Sequence, residues 1–92
     1  MSSYNILNGR RVCECYELLT GILRGEWGYD GMVITDWHGP CMQGHNIIAG
    51  NDVRMPTGHP DVLREELRFS RIQRTDLEVC VKRTLEMILK LD

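Results

Sequence analysis

The feature that most constrains the fold of this chain is the short run Met-Val-Ile-Thr at residues 32–35, which follows a segment with helical periodicity. A continuous apolar and β-branched run of this length is typical of a strand buried on both faces, and such strands occur in parallel sheets covered by helices. Before it, over residues 17–24, apolar side chains recur three and four positions apart, which predicts a helix that ends at Gly25. The pattern therefore predicts an α/β fold.

Helical and extended segments continue to alternate after this run. Residues 42–49 are predicted to form a second helix that ends at Gly50, and residues 52–55 a second extended segment closed by Pro56. If residues 2–5 are the end of a further strand, the order becomes βαβαβαα. That order implies parallel strands joined by right-handed helical crossovers.

Two further helices are predicted in the last third of the chain. The first covers residues 61–69, with Pro60 suited to its first turn, and the chain then bends near Ser70. The second begins at a capping box formed by Thr75 and Glu78. The apolar residues expected to point inward from the first helix are Val62, Leu63 and Leu67, and those expected to form a seam along the second are Leu77, Val81, Leu85, Ile88, Leu89 and Leu91.

The length of the chain limits what this order can build. With 92 residues it is predicted to be one domain, residues 1–92. Three parallel strands with their helices leave two unpaired edges and an uncovered apolar surface, and a full (β/α)8 barrel takes about 250 residues. The predicted fold class is therefore α/β, a partial TIM barrel of about three parallel β/α units plus a C-terminal helix. Self-association through exposed strand edges is a possible partner interaction.

Charge and hydropathy exclude several classes of function. The net charge is -2, from 11 basic and 13 acidic side chains. The sequence has no basic stripe that could bind phosphate groups, so no nucleic-acid partner is expected. The apolar runs are too short to cross a bilayer, so no membrane partner is expected. The first residues lack the charged and apolar stretches of a secretion signal, which favours a cytoplasmic location for this chain, although a longer parent could be exported.

The cysteines and histidines do not indicate a metal or cofactor site. Reduced thiols are expected, because nothing in the sequence indicates an oxidising compartment. His38, Cys41 and His45 are residue types that bind zinc, but their spacing matches no strong motif. One residue, rather than two, separates the first two cysteines, so no redox or zinc turn is assigned. The four cysteines are Cys13, Cys15, Cys41 and Cys80.

Asp36 and Trp37 directly follow the best predicted strand. The C-terminal ends of such strands are where α/β folds bind ligands. An indole can cover the apolar face of a sugar while a carboxylate meets the anomeric carbon or a hydroxyl group. On these facts alone, an equally good interpretation is that Asp36 caps the following helix and Trp37 fills a gap in the upper layer of the barrel.

Linked motifs occur in a fixed order along residues 1–58. They are Ser3-Tyr4-Asn5 with Asn8-Gly9, Leu18-Leu19-Thr20, the stretch at residues 22–31, Val33-Ile34-Thr35-Asp36-Trp37, and Ala49-Gly50-Asn51-Asp52 with Met55-Pro56. In order and approximate spacing they resemble glycoside hydrolase family 3, and the remaining helices resemble the end of the same catalytic barrel. The resemblance covers essentially the whole chain. It implies the C-terminal part of a (β/α)8 barrel domain and retaining hydrolysis of a β-glucoside or a related oligosaccharide.

The resemblance implies a role for three residues. Asp36 corresponds to the nucleophile that attacks the anomeric carbon, with Thr35 in place of the commoner serine of the Ser-Asp-Trp type motif. Trp37 corresponds to a wall of the subsite that holds the sugar, and Tyr4 lies near the nucleophile and can hydrogen-bond it. The matched family positions that we interpret as structural are Trp27, Gly28, Gly31, Asp52, Met55 and Pro56.

The resemblance also implies that the catalytic groups are incomplete in this chain. A retaining glycosidase needs two carboxyl groups about 5 to 5.5 Å apart, one as nucleophile and one as general acid. Asp36 corresponds to the nucleophile. The general acid/base of the family is typically a glutamate of a later domain, and no glutamate of this chain matches it. The chain alone is therefore expected to be inactive. The alternative is a non-catalytic barrel fragment that is stable only by self-association or by pairing with a complementary fragment.

Overall fold

The structure, a computed structural model, describes residues 1–91 and is rich in helix. The helical elements are a 3-10 turn at Val12–Glu14, a π-helix at Glu17–Glu26, α1 at Gln43–Ala49, α2 at Pro60–Arg68 and α3 at Arg74–Leu89. The two strands, β1 at Ile6–Leu7 and β2 at Arg10–Arg11, form an antiparallel sheet. Within residues 1–91, no helix has the length and apolar character needed to cross a membrane.

Strands β1 and β2 form a hairpin that the sequence analysis did not predict. Asn8 and Gly9 connect them with φ angles of 50° and 81°, and Ile6 lies opposite Arg11. Positive φ at both central residues is typical of the type I′ turn that Asn-Gly favours. The Asn-Gly pair was a usable signal, but strands of two residues are too short to show an alternating pattern.

Three extended segments lie side by side around residues 2, 34 and 53. The N–H of Ser2 donates to the carbonyl of Ile34 at 2.8 Å, and the N–H of Thr35 donates to the carbonyl of Val53 at 3.0 Å. Both contacts are parallel, but each is an isolated bridge and not a continuous ladder. The predicted fold class is therefore confirmed in part, since the described residues show the parallel order in a small α-rich chain and a regular sheet only in the hairpin.

The first predicted helix is present, but as a π-helix that continues past Gly25. The N–H of Trp27 donates to the carbonyl of Ile22 at 2.9 Å, a span of five residues. Glycine is an unfavourable helix residue but does not by itself end a helix. The chain leaves the helix at Gly28, where a φ of 69° suits a residue without a side chain.

Helices α1 and α2 lie close to their predicted bounds. Helix α1 ends before Gly50, which has a φ of 123°, and α2 begins with Pro60. The predicted inward face of α2 is wrong in one position, because Val62 is exposed while Glu66 is buried. Glu66 can be buried because it accepts a hydrogen bond from Arg71 at 3.0 Å, and buried carboxylates require such a partner.

Helix α3 begins two residues earlier than predicted. The helix is capped by Gln73, whose N–H donates to the carboxylate of Asp76 at 2.8 Å, and not by the Thr75 and Glu78 pair. Both pairs have the three-residue spacing of a capping box. The preceding Ile72 is buried, which places the chain reversal there and the cap one residue later.

The apolar seam predicted on α3 largely faces solvent. Its side chains at Val81, Leu85, Ile88 and Leu89 are each more than half exposed. We call these four residues the α3 apolar face. Helix α3 contacts the first half of the chain mainly through other positions, among them Cys80, which is buried. The seam predicted from the helical periodicity is therefore not covered at these four residues.

Candidate active site

Asp36 lies at the C-terminal end of the central extended segment. Its N–H donates to the carbonyl of Ser2 at 3.1 Å, which continues the parallel contact between the two segments. Its carboxylate is half-buried and accepts a hydrogen bond from the N–H of Trp37 at 2.7 Å. The position at a strand end is the one predicted, and it presents the carboxylate where α/β folds bind ligands.

The alternative interpretation, in which Asp36 caps the next helix, is wrong. Helix α1 begins at Gln43, and the carboxylate that accepts a hydrogen bond from its cap residue, Met42, belongs to Glu14 at 2.8 Å. Trp37 does not fill a gap in a packed layer either, because it is 44% exposed. Asp36 is thus free of a capping role in α1.

Asp36 and Tyr4 line the same small cavity. Among the described residues, Asp36 is the one carboxylate in its lining. The ring of Tyr4 packs against the backbone of Gly39, where a methyl group would meet the ring at 3.1 Å. Gly39 therefore allows the tyrosine to lie close to the loop that follows Asp36.

Trp37 lies outside this cavity lining. It forms an exposed turn with His38, which has a φ of 50°. The structure therefore brings together two of the three predicted site residues, Tyr4 and Asp36. The indole of Trp37, the residue after Asp36, is exposed to solvent.

Two side chains that the sequence analysis did not assign to the site hold its walls in place. The Thr35 hydroxyl accepts a hydrogen bond from the N–H of Met55 at 3.0 Å, and the guanidinium of Arg54 donates to the carbonyl of Cys41 at 2.9 Å. Arg54 also lines the cavity. The sequence signal for Arg54 was a cationic residue inside the extended run at residues 52–55, because a charge in a packed segment needs a hydrogen-bond partner.

Below the site, Asp52 joins three parts of the chain. Its carboxylate is fully buried and accepts hydrogen bonds from the N–H of Val33 at 2.9 Å, from Arg24 at 2.9 Å and from Arg83 at 3.3 Å. A buried carboxylate is tolerated when charged partners and hydrogen bonds satisfy it. The predicted structural role of Asp52 is confirmed by these contacts.

A second buried polar side chain, Asn51, lies next to Ser2. Its amide nitrogen donates to the carbonyls of Cys13 and Asn46, both at 2.8 Å, and its oxygen accepts a hydrogen bond from the Ser2 hydroxyl. Asn46 also donates to the Cys13 carbonyl, at 3.0 Å. These bonds join segments that lie far apart in the sequence, so the site depends on tertiary contacts more than on local structure.

The expectation of four reduced thiols is wrong for one pair. Cys13 and Cys41 form a disulfide with a Cα–Cα distance of 6.7 Å, while Cys15 and Cys80 are free. The sulfur of Cys41 is therefore not available as a metal ligand beside the neighbouring histidines. Across residues 1–91, no three histidine, cysteine or acidic side chains are grouped so that they could hold a metal ion.

Known proteins of similar sequence are β-glucosidases. Beta-glucosidase A of Butyrivibrio fibrisolvens is 45% identical over 75 residues, which cover 82% of this chain and 9% of that protein. The probable beta-glucosidase J of Neosartorya fischeri is 36% identical over 91 residues, 96% of this chain and 10% of that protein. No protein-family model matches the chain. The chain spans about a tenth of the length of these relatives.

Solved structures of similar fold include β-glucosidases. The GH3 beta-glucosidase of Bifidobacterium adolescentis superposes with a TM-score of 0.86 and 32% identity, covering 95% of this chain and 13% of that one. The beta-glucosidase of Kluyveromyces marxianus in complex with glucose gives a TM-score of 0.83 and 33% identity, covering 92% and 11%. In sequence and in structure, therefore, the chain matches short segments of much longer proteins.

Proposed function

This chain belongs to glycoside hydrolase family 3, and we propose that Asp36 is the nucleophile of a retaining β-glucosidase. The observation that carries the proposal is the place of its carboxylate. It lies half-buried at the C-terminal end of the central parallel segment and lines a cavity together with Tyr4. The substrate class in this proposal is a β-glucoside or a related oligosaccharide.

In the proposed reaction, the Asp36 carboxylate attacks the anomeric carbon and the bond to the leaving oxygen breaks. A second carboxylic acid protonates that oxygen, and water then hydrolyses the glycosyl ester with overall retention. The cavity lining among residues 1–91 has one carboxylate, so the acid must come from another part of a complete enzyme. Because general acid catalysis is worth about 10²- to 10⁴-fold, we propose that the chain alone is inactive.

The two neighbouring aromatic residues have different proposed roles. Tyr4 shares the cavity with Asp36, which supports a hydroxyl group that hydrogen-bonds the nucleophile or the bound sugar. Trp37 is exposed next to the nucleophile, which supports an indole that covers the apolar face of the sugar ring.

The partial (β/α)8 barrel is the architecture that we propose around this site. Its support is the parallel order of the segments at residues 2, 34 and 53 and the TM-score of 0.86 to a GH3 β-glucosidase. The isolated bridges become regular strand pairs, in this proposal, when the missing neighbours cover the outer edges. The same unpaired edges support self-association when those neighbours are absent.

A trapping experiment in a complete barrel tests the nucleophile. The segment of the Bifidobacterium adolescentis enzyme that this chain matches is replaced by residues 1–92, and the chimera is incubated with an activated 2-deoxy-2-fluoro-β-glucoside. We expect a glycosyl ester on Asp36, located by peptide mass spectrometry. The Asp36→Asn chimera should lose labelling and about 10⁴-fold or more of its turnover.

The matched control is Asp30→Asn in the same chimera. Asp30 is an exposed acidic residue in the same short stretch of sequence, and its replacement should leave labelling and turnover unchanged. Circular dichroism establishes that each chimera is folded. A sugar ester found on another side chain of a folded, active chimera would exclude Asp36 as the nucleophile.

A second candidate function is that of a non-catalytic barrel fragment that is stable by association. The observation that favours it is the α3 apolar face, whose four side chains are more than half exposed. A monomeric protein rarely leaves such a contiguous patch uncovered unless it binds something. Light scattering of the isolated chain tests this candidate, because a well-folded monomer would contradict it.

A further inference from the structure

We infer that Cys13 and Cys41 form a redox-controlled modification site in the wall of the Asp36 cavity. Both side chains are buried and both line that cavity. Their bond joins the 3-10 turn Val12–Glu14 to the loop that carries the proposed nucleophile. The inference goes beyond the proposed function and holds whether or not Asp36 is catalytic, because it concerns the mobility of the loop.

The loop in question is residues 36–41, which includes Asp36 and Trp37. Its first residue is held to Ser2 by a backbone hydrogen bond at 3.1 Å. Its last residue, Cys41, is held by the disulfide and by Arg54 at 2.9 Å. Opening the disulfide therefore removes the covalent anchor at one end of the loop and leaves the other end in place.

Neighbouring contacts keep the two cysteines close when the bond is open. Met42, next to Cys41, donates its N–H to Glu14, next to Cys13, at 2.8 Å. The carbonyl of Cys13 is fixed separately by the amides of Asn46 and Asn51. Because these contacts do not involve sulfur, the reduced thiols remain neighbours and the bond re-forms as an intramolecular reaction, which proximity favours strongly.

The other two cysteines have different surroundings. Cys80 is buried and its sulfur lies 3.3 Å from the carbonyl of Asn51. Burial, assisted by the charge of Asp52, raises the pKa of the Cys80 thiol to about 11, so it stays protonated near neutral pH. Cys15 is half-buried and two residues from Cys13, which makes a bond between these two the competing outcome.

The chemistry needs an external partner of the thiol–disulfide class. On oxidation, the two thiols lose two protons and two electrons to oxidised glutathione, which becomes two molecules of glutathione. On reduction, a thiolate of a dithiol attacks one sulfur to give a mixed disulfide, and its second thiolate displaces the protein sulfur, so that both cysteines end as thiols. A reducing compartment such as the predicted cytoplasm keeps the bond open, and an oxidising one closes it.

Thiol counting and hydrogen exchange test the inference on the chain itself. After treatment with oxidised glutathione and alkylation in denaturant, the two free cysteines, Cys15 and Cys80, should be alkylated, and all four after dithiothreitol. Reduction should speed exchange of the hydrogen-bonded amide of Met42, next to Cys41, by about tenfold or more, as expected when local opening becomes easier. Exchange in α3, which does not contain either cysteine, is the internal reference and should not change.

Variants and a second background control the measurement. The double variant Cys13→Ser, Cys41→Ser should show the faster exchange with and without dithiothreitol, whereas Cys15→Ser should keep the redox dependence. The same labelling in the β-glucosidase chimera covers the case in which the isolated chain aggregates. Four reactive thiols after oxidation, a mapped bond between Cys13 and Cys15, or unchanged exchange at Met42 would each overturn the inference.

Discussion

The two parts of this molecule, residues 1–56 and residues 60–91, are held in shape in different ways. In the first part, short segments that lack regular structure are joined by buried polar side chains such as Asn51 and Asp52. In the second part, α2 and α3 are regular helices with few buried side chains, among them Glu66 and Cys80. The first part depends on contacts between distant residues, and the second on local hydrogen bonding.

This difference explains where the candidate site lies. The Asp36 cavity is built entirely by residues of the first part, where crossing segments can bring side chains from several places to one point. Helix α3 supports that part from outside through Cys80 and Arg83, while its other side remains apolar and uncovered. Local helix formation alone does not create a concave site, so chemistry and exposed surface are separated in this chain.

The largest loss of unfolding free energy is predicted for Asp52→Asn. It removes the charge that satisfies Arg24 and Arg83, so we expect the first part to lose about 3–5 kcal/mol of unfolding free energy. Urea unfolding followed by circular dichroism measures it. Asp61→Asn, at an exposed ion pair in α2, is the control and should change little. A variant at position 52 as stable as the original chain would show that this network does not hold the two parts together.

A smaller effect is predicted at the junction of the two parts, at alkaline pH. The pKa of Cys80 is raised to about 11, so the folded state holds the proton more tightly than the unfolded state. The stabilisation is therefore complete below about pH 9 and is lost as the pH rises towards 11. We expect a loss of about 1–2 kcal/mol over this range, reduced from the full shift because water reaches part of the junction.

Reduced protein is unfolded in urea at pH 8 and at pH 10.5 to measure this effect, and Cys80→Ala is the comparison. The original chain should lose more stability than the variant between the two pH values, since the variant has no thiol to ionise. Equal losses in the two proteins would mean that the junction around Cys80 is open to water.

The smallest effect on stability is predicted for Leu85→Glu on the α3 apolar face. Because Leu85 is exposed, the helix should unfold with a free energy within about 0.5 kcal/mol of the original. Self-association should fall clearly, since a charge is placed in the patch, and sedimentation velocity measures it. Glu86→Gln, on the same helix, should leave the sedimentation profile unchanged. Unaltered association in the Leu85 variant would direct attention to the strand edges instead.

Much of the local structure was predictable because its causes lie within a few residues. Gly50 ends α1 and Pro60 begins α2 close to the predicted positions, and Asp36 lies at the end of an extended segment as expected. The hairpin turn at Asn8 and Gly9 belongs to the same class, although its strands were too short to be recognised.

The burial of particular side chains was not predictable in the same way. Helical periodicity identifies an apolar face but not whether anything covers it, and the α3 apolar face has no cover within residues 1–91. Glu66 is buried in place of Val62 because Arg71 supplies a partner for its carboxylate. Hydropathy alone does not predict that a glutamate is buried instead of a valine, because this burial depends on a pair of charges.

Local patterns were enough to predict most of the helices and, through the linked motifs, the family and the candidate nucleophile. The tertiary structure alone decided that Asp52 accepts from two arginines, that Cys13 meets Cys41 across 28 positions, and that Tyr4 shares a cavity with Asp36. The physical reason is the range of the interactions. Turns, caps and periodicity act between neighbours, whereas buried charges and sulfur pairs find their partners only when distant segments are folded together.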